Sequence, residues 1–217
     1  MNSFVDTNVP ISYCFNLDPF NRKSETIFKK YQNIYWSNTV LNEFKKTLNN
    51  KKNALRKFYT EFLIHLKKCS HFYEHQIEEY ISSLKMSKKS LKHFKTSLIL
   101  FWQIYIEERF PQIEMVKRSV EDLLIELNII PYKNRKKLIE IIKTTPKRIE
   151  SYENLLNKIN ELGVHYPDNE ILLDAYDFNM NYCKALDFIT FDLKCYEAAS
   201  EIREFLFNEA KGIYDFW

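Results

Sequence analysis

The chain begins with a short apolar run that ends in an acid, since residues 3–8 read SFVDTN. Phe4 and Val5 are bulky residues of the kind that favours a β-strand. Asp6 closes this run, and Pro10 then suits the first turn of a helix better than a strand interior. The stretch therefore predicts a buried strand with an acid at its carboxyl end, followed by a helix.

Two further strands are predicted from aromatic and β-branched residues. One covers residues 33–36 (NIYW), and the other covers residues 188–191 (FITF) and ends at Asp192. After the first of these, Ser37 or Asn38 can cap a helix that carries Glu43 in its second turn. Helices are also predicted over residues 169–183, directly after Asp168, and over 198–210, and an edge strand over 213–217.

The middle of the chain predicts helices without a strand. Apolar residues repeat there at spacings of three and four, and breaks are expected near Ser87, Pro111, Pro131 and Pro146. The predicted fold class is therefore α/β, with a small parallel sheet flanked by helices and a large all-helical insertion. The core would comprise residues 1–50 and 163–217, and the basic insertion, a lid or a nucleic-acid groove, residues 51–162.

Positive and negative charges are separated along the sequence. Residues 45–148 hold 23 Lys and Arg against 11 Asp and Glu, whereas the flanking residues hold 9 against 18. This distribution is expected if the middle meets a polyanion and the flanks hold cations. The candidate nucleic-acid contacts are two basic runs, Lys88, Lys89 and Lys92, and Arg135, Lys136 and Lys137.

Composition also excludes several classes of protein. Two isolated glycines cannot form a Rossmann or Walker phosphate loop. The absence of a signal-peptide pattern and of a long apolar run predicts a cytoplasmic protein without a membrane span. Cys69, His71 and His75 lack a fourth zinc ligand at a recognised spacing, so an ordinary helix end is the preferred interpretation.

Four carboxylates lie at or near the ends of predicted strands and helices. Asp6 and Asp192 each follow a strand, Asp168 precedes a helix, and Glu43 lies in the helix after the second strand. Because parallel strands share one carboxyl edge, we expect these acids to approach one another. Four carboxylates without a basic neighbour repel unless a divalent cation lies among them, and oxygen ligands suit Mg²⁺ or Mn²⁺.

In order and kind these segments resemble the PIN-domain nucleases. The resemblance rests on residues 5–8 (VDTN), Trp36-Ser37 followed by Glu43, Asp168 with Ile171 and Ala175, and residues 189–192 (ITFD). It implies an α/β sandwich that binds Mg²⁺ or Mn²⁺ and cleaves RNA or single-stranded nucleic acid. The implied metal ligands and catalytic residues are Asp6, Glu43, Asp168 and Asp192, supported by Thr7, Asn8 and Thr190.

Several alternatives remain open at this point. Asp174 is the other candidate for the third acid, although a helix N-terminus favours the carboxylate of Asp168. Asp174, Asp177 and Asp187 are otherwise expected to be surface acids. The rival function is a non-catalytic nucleic-acid-binding protein with a basic helical surface. An antitoxin-like protein partner and a homodimer are candidate assemblies.

Overall fold

The computed structural model describes residues 1–106, 108–201 and, through their backbone, 209–211. The chain forms two compact units. The sheet unit contains Met1–Tyr13, Phe20–Thr47 and the described residues from Asn134 onward, and the helical unit contains Cys14–Pro19 and Leu48–Lys133. Residues 134–162, predicted as part of the insertion, thus belong to the sheet unit.

A parallel sheet of five short strands forms the centre of the sheet unit, in the order β3-β2-β1-β4-β5. β1 lies in the middle and pairs with β2 on one side and β4 on the other. The central side chains are fully buried because helices flank the sheet, as expected for a parallel arrangement. The strands are β1 (Asn2–Val5), β2 (Asn33–Trp36), β3 (Ile142–Thr144), β4 (Leu186–Ile189) and β5 (Glu209–Lys211).

Helices make up most of the remaining described chain, together with one turn of 3-10 helix at Glu74–Gln76. Within that part, no helix is long and apolar enough to cross a membrane. The helices are α1 (Asn8–Cys14), α2 (Asn21–Lys30), α3 (Asn38–Leu66), α4 (Ile77–Ser83), α5 (Lys88–Tyr105), α6 (Ile113–Ile141), α7 (Glu153–Glu161), α8 (Asp168–Asn181) and α9 (Leu193–Glu201).

Local sequence fixes the two helix ends that matter for the site. Ser37 caps α3, since its hydroxyl accepts a hydrogen bond from the Val40 backbone N–H at 3.3 Å. Gly163 ends α7 in a left-handed conformation (φ 82°), and the next residue donates back to the Ile159 carbonyl. This Schellman motif turns the chain toward α8.

Aromatic residues form the core of the helical unit. Phe58 on α3 stacks on Phe94 of α5 with ring centroids 4.4 Å apart. The Tyr59 hydroxyl donates to the Ser97 carbonyl at 3.0 Å, so this buried polar group is satisfied. The unit is held by apolar packing around these rings.

The absence of a strand between residues 51 and 162 was a wrong prediction. Ile142–Thr144 forms β3, which pairs with β2 at one edge of the sheet. The strand has only three residues and follows α6 without a break, so the helical periodicity continues into it and hides it. The segment 51–162 is therefore not all helical.

Three smaller predictions also need correction. β4 covers Leu186–Ile189 rather than residues 188–191, and it ends early because Thr190 and Phe191 leave the ladder. Pro131 lies inside α6 rather than at a break. The helix expected to reach residue 210 does not, since residues 209 and 210 belong to β5. The edge strand predicted over 213–217 lies outside the described residues.

Candidate functional site

The carboxyl ends of β1 and β4 place the predicted site residues at one edge of the sheet. The Asp6 backbone N–H donates to the Ile189 carbonyl at 2.9 Å, which continues the ladder to the point where both strands end. Asp6 therefore lies beside Thr190, which is 184 positions away in the chain. The register of β1 against β4 brings these two residues together, although they are distant in sequence.

Three hydrogen-bond donors hold the Asp6 carboxylate. Its Oδ1 accepts from the Thr7 backbone N–H at 2.5 Å, and its Oδ2 accepts from the Asn8 amide at 2.6 Å and the Thr190 hydroxyl at 2.7 Å. Because a carboxylate offers about four acceptor positions, one position on Oδ1 accepts from none of the described residues. Asp6 is 2% exposed, so its orientation is fixed by buried contacts.

Asn8 and Thr190 also hold the loop that follows β4. The Asn8 amide oxygen accepts from the Phe191 backbone N–H at 2.8 Å, and the Thr190 hydroxyl accepts from the Asp192 backbone N–H at 3.0 Å. These two side chains thus connect the end of β1 to the residue that precedes α9. Both side chains also contact Asp6.

The remaining three acids approach from helix starts. Glu43 on α3 accepts a hydrogen bond from the Thr7 hydroxyl to its Oε2 at 2.6 Å. Asp192 accepts from the Cys195 backbone N–H at 3.0 Å and thereby caps α9. Asp168 is the first residue of α8 and is half-buried. Among the described residues, none of these carboxylates or Asp6 forms a salt bridge.

Electrostatic repulsion couples the four acids. Burial raises the pKa of Asp6 to about 7, and the negative charges of Asp168 and Glu43 add to this rise against hydrogen bonds from Thr190 and Thr7. Burial likewise raises the pKa of Asp168 to about 6, with repulsion from Glu43 and Asp192. Asp6 and Asp168 are therefore each within electrostatic range of two other acids of the predicted set.

Cys195 lies beneath the same group of acids. Its thiol is 1% exposed, and burial, followed by the charges of Asp6, Asp168 and Asp192, raises its pKa. The thiol is therefore protonated near neutral pH.

The acids do not form a closed ligand group as they stand. Among the residues the structure describes, no three His, Cys, Asp or Glu side chains lie close enough together to hold a metal ion. The donors nevertheless fit a hard divalent ion, because all four acids offer oxygen.

Asp174, the alternative third acid, lies six residues after Asp168 on α8 and belongs to a different hydrogen-bond network. Its Oδ2 accepts from the Thr39 hydroxyl at 2.8 Å, and its Oδ1 lies 3.5 Å from Arg148 Nη1. Arg148 also donates to Glu170 at 2.5 Å. Burial raises the pKa of Asp174, while hydrogen bonds from Ser37 and Thr39 and the charge of Arg148 act in the opposite direction.

Asp177 and Asp187 are not surface acids, contrary to prediction. Asp177 accepts from the Ile149 backbone N–H, the Tyr152 hydroxyl and the Asn181 amide, and Asp187 accepts from the Tyr31 hydroxyl at 2.7 Å. Both are less than 4% exposed. Glu170, Asp174 and Asp177 recur on α8 at the spacing expected for a solvated helix face. In the structure these three acids instead contact groups within residues 148–152.

The two basic runs belong to different units. Lys88, Lys89 and Lys92 are exposed on the first turns of α5 in the helical unit. Arg135–Lys137 lies on α6 in the sheet unit, where the Lys137 ammonium lies 5.6 Å from the Tyr13 ring centroid. Each run offers exposed positive charge within its own unit.

No protein-family model matches the chain, and no curated protein or solved structure is significantly similar to it. The likeness to PIN-domain nucleases therefore rests on the quoted sequence segments alone.

Proposed function

We propose that this chain is a metal-dependent nuclease of the PIN type, which hydrolyses phosphodiester bonds of RNA or single-stranded nucleic acid. The proposal is supported above all by the buried Asp6 carboxylate after β1, which accepts a hydrogen bond from Thr190 after β4 and is repelled by the charges of Asp168 and Glu43. In open α/β sheets this carboxyl edge of the strands is where ligands bind. Mg²⁺ or Mn²⁺ is the cation that its oxygen donors suit.

The roles of the residues follow from their contacts. Asp6 would supply the best-oriented ligand, because three hydrogen bonds fix its carboxylate. Glu43, Asp168 and Asp192 would complete the ligand set, and Thr7 would orient Glu43 through its hydroxyl. When bound, a divalent cation lowers the pKa of a water molecule and stabilises charge on the leaving oxygen.

Cleavage of a labelled single-stranded RNA panel tests this function. Wild type is expected to cut with Mn²⁺ or Mg²⁺ and to stop when EDTA is added. Asp6→Asn is expected to bind the same RNA and not to cut it. Asp122→Asn, the same change at an exposed acid of α6, is the matched control and is expected to cut like wild type.

The alternative function is a non-catalytic nucleic-acid-binding protein. It is favoured by one observation, that the acids of the described chain do not form a closed ligand group. Under this alternative, wild type binds RNA with equal affinity with and without divalent ions and cuts under no metal. The same RNA panel therefore separates the two functions. An antitoxin-like partner and a homodimer remain predictions.

A further inference from the structure

Two acids of the proposed site, Glu43 and Asp168, lie on different helices and carry like charges. Glu43 lies on α3 and Asp168 begins α8, and the charge of Glu43 adds to the rise in the pKa of Asp168 that burial causes. Repulsion between these two carboxylates opposes the close approach of the helices that carry them. A contact that joins α3 to α8 must oppose it for the acids to stay within range.

The hydrogen bond between Thr39 and Asp174 is such a contact. Thr39 lies four residues before Glu43, so both project from one face of α3. Asp174 lies six residues after Asp168 on α8, and the Thr39 hydroxyl donates to its carboxylate at 2.8 Å. The bond therefore joins the helix that carries Glu43 to the helix that carries Asp168.

Arg148 holds the acid end of this bond in place. Its guanidinium reaches Glu170 at 2.5 Å and Asp174 at 3.5 Å, one turn apart on α8. Two acids at this spacing repel, and the guanidinium, which is hydrogen-bonded to Glu170 and ion-paired with Asp174, offsets that repulsion. Asp174 is thus held by Thr39 and Arg148 together.

We propose that Thr39, Asp174 and Arg148 are positioning residues that set the separation of Glu43 and Asp168 and thereby the affinity for the cation. This inference rests on the proposed function. It also assigns Asp174 a place outside the ligand set, which sequence analysis left open. Changes to residues that hold metal ligands typically lower metal affinity by about 10- to 100-fold.

A matched pair of substitutions at Thr39 provides the test. Thr39→Val removes the hydroxyl and keeps the shape, whereas Thr39→Ser keeps the hydroxyl. We expect Thr39→Val to raise the Kd for Mn²⁺, measured by calorimetry on the folded protein, about 10-fold. Thr39→Ser is expected to bind like wild type, and a merely structural role would change the melting temperature without changing this Kd.

The outcomes separate this inference from the function on which it rests. If wild type binds Mn²⁺ and Asp6→Asn does not, but Thr39→Val binds like wild type, the positioning role is overturned and the nuclease proposal stands. If wild type binds no Mn²⁺, both fall. Should Thr39→Val not fold, Arg148→Met decides, because an unchanged Kd in that variant overturns the inference, and a raised Kd that Arg148→Lys partly restores supports it.

Discussion

Asp6→Asn should make the metal-free protein more stable at pH 8 while removing metal binding. The carboxylate pKa is raised from 3.8 to about 7 by burial and by the neighbouring acids. At about 1.4 kcal/mol for each pKa unit, the ionised side chain costs the folded state about 4 kcal/mol at pH 8. A neutral side chain of the same shape removes this cost.

The amide brings an opposing cost. Its oxygen can replace Oδ2 and accept from Asn8 and Thr190, but its NH₂ group then meets the Thr7 N–H, donor against donor. An unsatisfied buried donor costs about 1–3 kcal/mol. The net expectation is a gain of about 1–3 kcal/mol in the free energy of unfolding, or roughly 2–10 °C in melting temperature for a chain of this length.

The sign of the effect depends on pH. The pKa of Asp6 in the folded state lies above its value in the unfolded chain. The contribution of this side chain to the free energy of unfolding is therefore fully present below about pH 4 and is lost as the pH rises through about 7. The advantage of Asp6→Asn should therefore vanish or reverse near pH 4.5. Urea denaturation in EDTA at the two pH values measures this.

An exposed acid supplies the control for that experiment. Asp122→Asn should change the free energy of unfolding by less than about 0.5 kcal/mol at either pH. The reasoning is refuted if Asp6→Asn is less stable than wild type at pH 8 by the same amount as at pH 4.5. Such a result would mean that the hydrogen bonds to Asp6, and not the cost of its charge, dominate this site.

Three further predictions concern the site and the basic surface. The affinity for Mn²⁺ should rise between pH 6 and 8, because binding must displace protons from Asp6 and Asp168, whose pKa values are raised to about 7 and about 6. Calorimetry in buffers of different ionisation enthalpy would measure the released protons, and a pH-independent Kd with no proton release would contradict it. Thr190→Val should lower the free energy of unfolding by about 1–3 kcal/mol, because it removes the donor to Asp6 and the acceptor of the Asp192 N–H. Thr190→Ser keeps the hydroxyl and should unfold like wild type, and urea denaturation measures both variants. Replacing Arg135–Lys137 by Gln should reduce the slope of log affinity for single-stranded RNA against log salt by about 2, and an unchanged slope would exclude this run from the interface.

The sequence is sufficient to predict the strands that carry the site. β2 has the predicted bounds, Asn33–Trp36, because a run of β-branched and aromatic residues between polar residues favours a strand. β1 likewise ends at Val5, directly before Asp6, and Asp6 lies beside Thr190 because parallel strands share one edge. These features follow from local composition and from one rule of sheet geometry.

The features that failed depend on contacts between distant segments. β3 is too short to show a period of its own, and it becomes a strand by pairing with β2. The early end of β4 is decided by Asn8 and Asp6, which bind Phe191 and Thr190 more than 180 residues away in the chain. Neither pairing leaves a local signal in the residues that take part.

Arg148 is the clearest example of a residue whose contacts cannot be predicted from its local sequence. In the sequence it belongs to a basic stretch and predicts contact with a polyanion, whereas acids at 170, 174 and 177 predict a solvated face of α8. In the fold these two surfaces neutralise each other, because Arg148 lies against Glu170 and Asp174. Charge that is satisfied within the protein is unavailable to a ligand, so the acids that lack a basic partner, Asp6 and Asp168 foremost, are the ones left for a cation.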